Sequence, residues 1–98
     1  MSLSIAFHRA ASTEFIEASV WYESKRLGLA HEFIAEIDRC VSLASECPLR
    51  YAVVHKDVRR VIANRFPYCV YFRAEKHRIV VLSVFHSSRD PAIWRARY

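Results

Sequence analysis

Three runs of β-branched and aromatic residues, Val58–Ala63, Tyr68–Ala74 and Arg78–Phe85, follow one another with very little between them. Each has strand length, and each is bounded by polar or turn residues. The turn at Phe66-Pro67 separates the first two, and Glu75-Lys76-His77 separates the last two. Gaps that short join only antiparallel neighbours, so the stretch predicts a three-stranded meander. In the last run Val80, Leu82 and Val84 point one way, and Ile79, Val81 and Phe85 the other. Both faces are then apolar, as in a central strand covered on both sides.

What precedes the meander supplies one cover. Leu3–Arg9 alternates apolar and polar residues and reads as a short half-buried strand. Ser12 or Thr13 offers a side-chain oxygen to the orphan amides of a helix running from Thr13 to Leu27, with Glu14 and Glu17 at its positive end. Ala18, Tyr22, Phe15, Ser19, Ile16, Leu27 and Val20 form one broad apolar face of that helix, and Glu14, Glu17, Ser24 and Lys25 fall opposite. Trp21 lies on the polar side, where it is expected to lean onto its own domain, since Trp is highly buried on average. Gly28 suits a left-handed helix terminus. A second helix spans Leu29–Cys47, with Leu29, Phe33, Ile37, Cys40 or Val41, and Ala44 inward, and Glu36 and Arg39 spaced to pair outside.

The two helices make an antiparallel hairpin that covers one face of the sheet. The other face needs the C-terminal segment, a second copy or a bound partner, because contiguous exposed apolar surface marks an interaction site. Residues 48–57 show no clear period and read as a connector. Asp90-Pro91 signals a turn or helix start, with Trp94 as the anchor of a short last turn.

A chain of 98 residues that is 53% hydrophobic, with one Gly and three Pro, suits one compact domain of α+β class rather than a disordered segment. No apolar run approaches the ~20 residues of a membrane span, and the start lacks the layout of a signal peptide. Cys40, Cys47 and Cys69 show no metal or disulfide spacing, so reduced thiols in a cytoplasm are expected, with no cofactor. Residues 12–47 carry seven acids against three bases, a net −4, whereas residues 48–98 carry eleven bases against three acids, a net +8. A field polarised in this way points to an anionic partner at the sheet, either nucleic acid or an acidic protein segment.

With strand, helical hairpin and meander in that order, the phrases WYES…LG, RFPYCVYFR, RIVVLSVFH and SSRDPAIW carry a resemblance. From about Ile5 to Trp94 the chain resembles the RelE/ParE superfamily of type II toxin–antitoxin toxins, in its plasmid-stabilisation branch. The resemblance implies helices packed on one face of a small sheet. It also implies a cytoplasmic growth-inhibiting toxin that a cognate antitoxin neutralises, in a toxin–antitoxin hetero-oligomer.

Two mechanisms divide the family. ParE-like members poison DNA gyrase by binding, and the FPY and RDP phrases look closer to them. RelE-like members cut messenger RNA on the ribosome, which needs proton transfer at the ribose hydroxyl and cations for the developing charge. On that alternative His86, Arg65 and Arg59 are the catalytic candidates, with imidazole the side chain best suited to proton transfer near neutral pH. Tyr68, however, stands where nucleases of the family commonly place an arginine. For target or antitoxin binding the candidates are Arg60, Tyr68, Tyr71, Arg73, Phe85, Arg89 and Trp94. A metal site is not expected from His8, His31, His55 and His77, which lack ligand spacing. A plain nucleic-acid-binding module without a toxin role is the third reading.

Overall fold

The computed structural model describes residues 2–97. Strand β1 (Ser4–Phe7) leads into helices α1 (Arg9–Lys25) and α2 (Leu29–Glu46), and a 3₁₀ turn (Pro48–Arg50) follows. Then come β2 (Val53–His55), β3 (Val58–Ile62), β4 (Tyr68–Ala74), β5 (Arg78–His86) and the short helix α3 (Ala92–Arg95). The sheet order is β1-β5-β4-β3-β2, with β1 parallel to β5 and the other pairs antiparallel. The architecture is α+β, and the expected meander is its centre.

Local chemistry shifts several boundaries. β1 stops at Phe7: the His8 N–H makes a last bond to the Val81 carbonyl of β5, and its Nδ1 then accepts from the Ala10 N–H to start the helix. His8 is therefore the N-cap, and Ser12 and Thr13 lie inside a helix that begins at Arg9 rather than Thr13. At the hairpin turn Gly28 takes φ 86°, the left-handed geometry expected there. The first amides of α2 would be orphans; Glu23 accepts from the N–H of Gly28 and of Ala30, each at 3.1 Å. Those backbone donors hold the Glu23 carboxyl below its ordinary range.

The apolar face of α1 is narrower than the periodicity suggests. Ala11, Ala18 and Tyr22 are buried, whereas Ile16, Val20 and Leu27 stay exposed. In α2 the expected Phe33, Ile37, Cys40, Val41 and Ala44 all go inward. They meet Val61, Val70, Phe72, Ile79 and Val81 in one cluster with Phe33 at its centre. Burying a side chain of that size stabilises by about 1.5–3 kcal/mol. Glu36 pairs with Arg39 at 2.6 Å, but it also reaches inward to accept the Asn64 N–H, tying α2 to the end of β3.

Two features of the sheet correct the sequence reading. The connector contains a fifth strand, β2, which pairs with β3 through an irregular register. And β5 carries a bulge: Tyr71 faces Ser83 while Phe72 faces Val81, which leaves Leu82 extra. The alternation flips there, so Val84 joins Ile79 and Val81 under the helices, and Leu82 and Phe85 face away. The chain's own tail covers that second face. Trp94 of α3 is 1% exposed and stacks on Tyr71 with ring centroids 4.1 Å apart. Val58, Cys69, Leu82 and Phe85 complete the cluster beneath it.

Candidate functional site

One end of the sheet opens into a groove of about 520 Å³. The pairing of Tyr68 with His86 puts the start of β4 beside the end of β5, and the Ser87 N–H closes that end on the Pro67 carbonyl at 2.7 Å. α1 runs along the other wall and contributes Glu14, Glu17, Ala18 and Trp21. Trp21 is 55% exposed on the rim rather than folded onto the domain. It meets Tyr22 edge-on, with centroids 5.0 Å apart, and the Lys25 ammonium lies 4.9 Å from its own ring centroid.

His86 and Tyr68 form the floor, with rings edge-to-face at 5.1 Å. His86 Nδ1 accepts the Ser88 N–H at 3.1 Å, with the Ser88 hydroxyl at 2.8 Å. A backbone amide can only donate, so the neutral ring carries its proton on Nε2. Burial pushes the Tyr68 phenol upward, which keeps it a neutral hydrogen-bonding group.

Behind the groove lies a clamp that the sequence reading placed in solvent. Glu14 falls three residues after Ala11 and four before Ala18, at the flank of the buried stripe, and only 11% of its side chain is exposed. Its carboxylate accepts from the Ser83 hydroxyl at 2.8 Å, the Val84 N–H at 3.1 Å and Arg97 Nη2 at 3.0 Å. Arg97 also donates to the Leu82 carbonyl at 3.2 Å. β1 pairs with β5 only as far as Val81, and beyond that point the Val84 amide goes to Glu14, while the Glu14–Arg97 pair fastens the tail to α1 and β5.

The candidate residues do not converge on one point. Tyr68, His86 and Arg89 line the groove. Arg65, with φ 70°, turns to α2, where it pairs with Glu32 at 2.8 Å and lies over the Phe66 ring. Arg59 donates to the Tyr51 carbonyl at 2.6 Å. Arg73 pairs with Asp57 at the far end of β4. Arg60 is exposed on β3, opposite Tyr71. Tyr71, Phe85 and Trp94, expected as contact residues, are 8%, 2% and 1% exposed and belong to the core under α3. Their aromaticity signalled packing, since a large ring in a central strand buries more area than it leaves for a partner.

Sequence reasoning missed Glu14, Glu17 and Trp21 as groove residues; the signal available was the position of Glu14 at the edge of the Ala11–Ala18 stripe. Among the described residues no group of three or more His, Cys, Asp or Glu side chains is placed to hold a metal ion. No described helix is long and apolar enough to cross a membrane.

A family model described as "ParE toxin of type II toxin-antitoxin system, parDE" matches residues 5–91. No curated protein matches the sequence. Among solved structures, the "Chromosomal ParDE TA system from P. aeruginosa" contains a chain with the same fold, at a TM-score of 0.73 and 19% identity. The match covers 87% of this chain and 96% of that one.

Proposed function

The chain belongs to the ParE toxin family of type II toxin–antitoxin systems, and from that premise we propose that it inhibits growth by binding DNA gyrase through the groove beside Trp21, Tyr68 and His86. The observation that carries this reading is that the cations RNA cleavage would require do not converge on His86. Arg59 donates to the Tyr51 carbonyl and Arg65 pairs with Glu32 on α2, so neither stands in the groove beside His86. A binding site needs no such convergence. It needs an anchor pocket with a rigid floor, and the groove supplies an exposed Trp at its rim over a Tyr–His floor.

A cognate antitoxin neutralises the toxin in this reading. Ile16, Val20 and Ile34 leave an apolar strip along the outer side of the hairpin, with Phe15 and Ser19 in the same depression of about 240 Å³. An amphipathic antitoxin segment would bury it. Gyrase as target places the action in the cytoplasm.

The ribosome-dependent endoribonuclease reading draws on one observation, that His86, Tyr68 and Arg89 share the groove. Adding the purified chain to gyrase, ATP and supercoiled plasmid separates the two. The expected result is protein-linked linear DNA, with ribosome-bound transcripts intact. Trp21→Ala should weaken gyrase poisoning at least tenfold. Cleaved transcripts with intact DNA, abolished by His86→Ala, would overturn the gyrase reading in favour of the nuclease.

A further inference from the structure

The rings buried under α3 carry arginines. Phe85, Tyr71 and Trp94 run as a column across β5, β4 and α3, with centroid separations of 6.3 Å and 4.1 Å. The Arg89 guanidinium lies 5.0 Å from the Phe85 centroid, and that of Arg95 lies 5.6 Å from the Trp94 centroid. Arg60 is the exposed cross-strand neighbour of Tyr71 on the same face. His55 meets the edge of Trp94 at 5.7 Å. Two exposed guanidinium groups are therefore seated on the rings of a rigid aromatic base, and Arg60 stands exposed beside its middle ring.

Acids near this face are engaged elsewhere. Asp57 pairs with Arg73, and Asp90 accepts the Ala92 N–H. Glu14 reaches Arg89 only at 3.9 Å, and the Arg89 side chain stays 48% exposed.

We propose that Arg60, Arg89 and Arg95, set along the Phe85–Tyr71–Trp94 column, form a contact surface for the phosphodiester backbone of a nucleic acid. The proposal goes beyond the choice of target and does not depend on it. The chemistry of the face selects this ligand. The rings lie beneath the cations and offer no open face on which a base could stack, so the contact is to phosphate and independent of sequence. The column lies on central strands whose edges are already paired, so an acidic peptide cannot add a strand there. Guanidinium groups held in place also lose little freedom on meeting a regular array of phosphates.

The test is fluorescence anisotropy with the full-length chain, using labelled duplex DNA of about 20 base pairs and a single-stranded RNA of the same length. Each phosphate contact contributes a salt slope of about 0.9 on duplex DNA, so R60Q/R89Q/R95Q should flatten the slope by about 2.7. The affinity lost between about 50 and 200 mM salt should then shrink ~40-fold relative to wild type. R60K/R89K/R95K keeps the charge and should keep the slope. Tighter binding to the duplex assigns DNA as the source of the phosphates, and tighter binding to the single strand assigns RNA. An unchanged slope in the glutamine variant overturns the proposal, as does an equal loss in the lysine variant. Displacement of the duplex by polyglutamate at equal charge overturns it in favour of an acidic protein segment. Gyrase poisoning is read separately, so its failure leaves this result standing.

Discussion

The two faces of the sheet are both apolar, yet they are covered by very different means. One lies under helices of 17 and 18 residues, which bring their own aromatic and aliphatic side chains into a shared core. The other lies under a helix of four residues that contributes one buried side chain, Trp94. A thick cover can lose a contact and keep its position. A single turn has no hydrophobic reserve, so it needs a polar fastener, and the Glu14–Arg97 clamp supplies one. The same thinness leaves arginines exposed around the tail, whereas the hairpin presents acids.

Deleting the centre of each cover tests this most strongly. Phe33→Ala should cost about 4 kcal/mol by denaturant unfolding, because the surrounding cluster is too interlocked to collapse into the cavity. Trp94→Ala should cost about 3 kcal/mol, somewhat less because the single turn above it can settle. It should also expose Tyr71 to solvent, seen as a change in tyrosine fluorescence. If Trp94→Ala proved silent, the tail would not be a structural cover.

The clamp comes next. Glu14→Gln should cost about 2 kcal/mol, because it leaves a largely buried Arg97 without its charge partner. Arg97→Met should cost a similar amount, since Glu14 keeps its donors from Ser83 and Val84 but loses its counter-ion. In a double-mutant cycle the two should be strongly non-additive. Additive losses would mean that Arg97 holds the tail through the Leu82 carbonyl and not through Glu14.

The same contrast explains which parts were legible in the sequence. The hairpin and meander came from patterns repeated over many residues: Phe33, Ile37 and Ala44 step by helical intervals, and the three strands alternate between turns. The thin cover rests on single residues whose partners are distant in the chain. Glu14 reads as a solvated acid until Ser83 and Arg97, 69 and 83 residues away, are brought to it. The bulge at Leu82 is silent because Leu82, Ser83 and Val84 suit either face. β2 has three residues and exists only through its pairing with β3. In the groove His86 and Tyr68 were legible as strand-end residues of the right chemistry. Trp21 was not, because average burial of Trp argued for the opposite placement. The pairing of Arg65 with Glu32 spans 33 residues and has no local signature.

A smaller effect checks the hairpin turn. At Gly28 an added Cβ meets nothing within 4 Å, so Gly28→Ala has no steric penalty from neighbours. What remains is the left-handed backbone, worth about 1 kcal/mol. Gly28→Asn should recover much of that, since Asn tolerates this conformation.

The smallest effect concerns how the thick cover is pinned to the sheet. The Arg39 hydrogen bonds, aided by the Asn64 N–H and opposed by burial, hold the Glu36 carboxyl below its ordinary range. A carboxyl lowered by folding binds fewer protons in the native state than in the unfolded chain. Its stabilisation is therefore full above the unfolded value of about 4.3 and is lost as pH falls through the lowered native value. Glu23 and Glu32 shift in the same direction, so wild type loses stability over this acid window from several sites. Glu36→Gln should be slightly less stable than wild type at neutral pH, and the urea midpoints of the two should converge as pH falls below the ordinary carboxylate range and wild-type Glu36 takes up its proton. A constant offset across the window would mean that Glu36 acts through shape alone. Convergence would show that the thick cover too relies on a charged fastener where α2 meets the end of β3, and that the difference between the faces lies in how much apolar packing stands behind it.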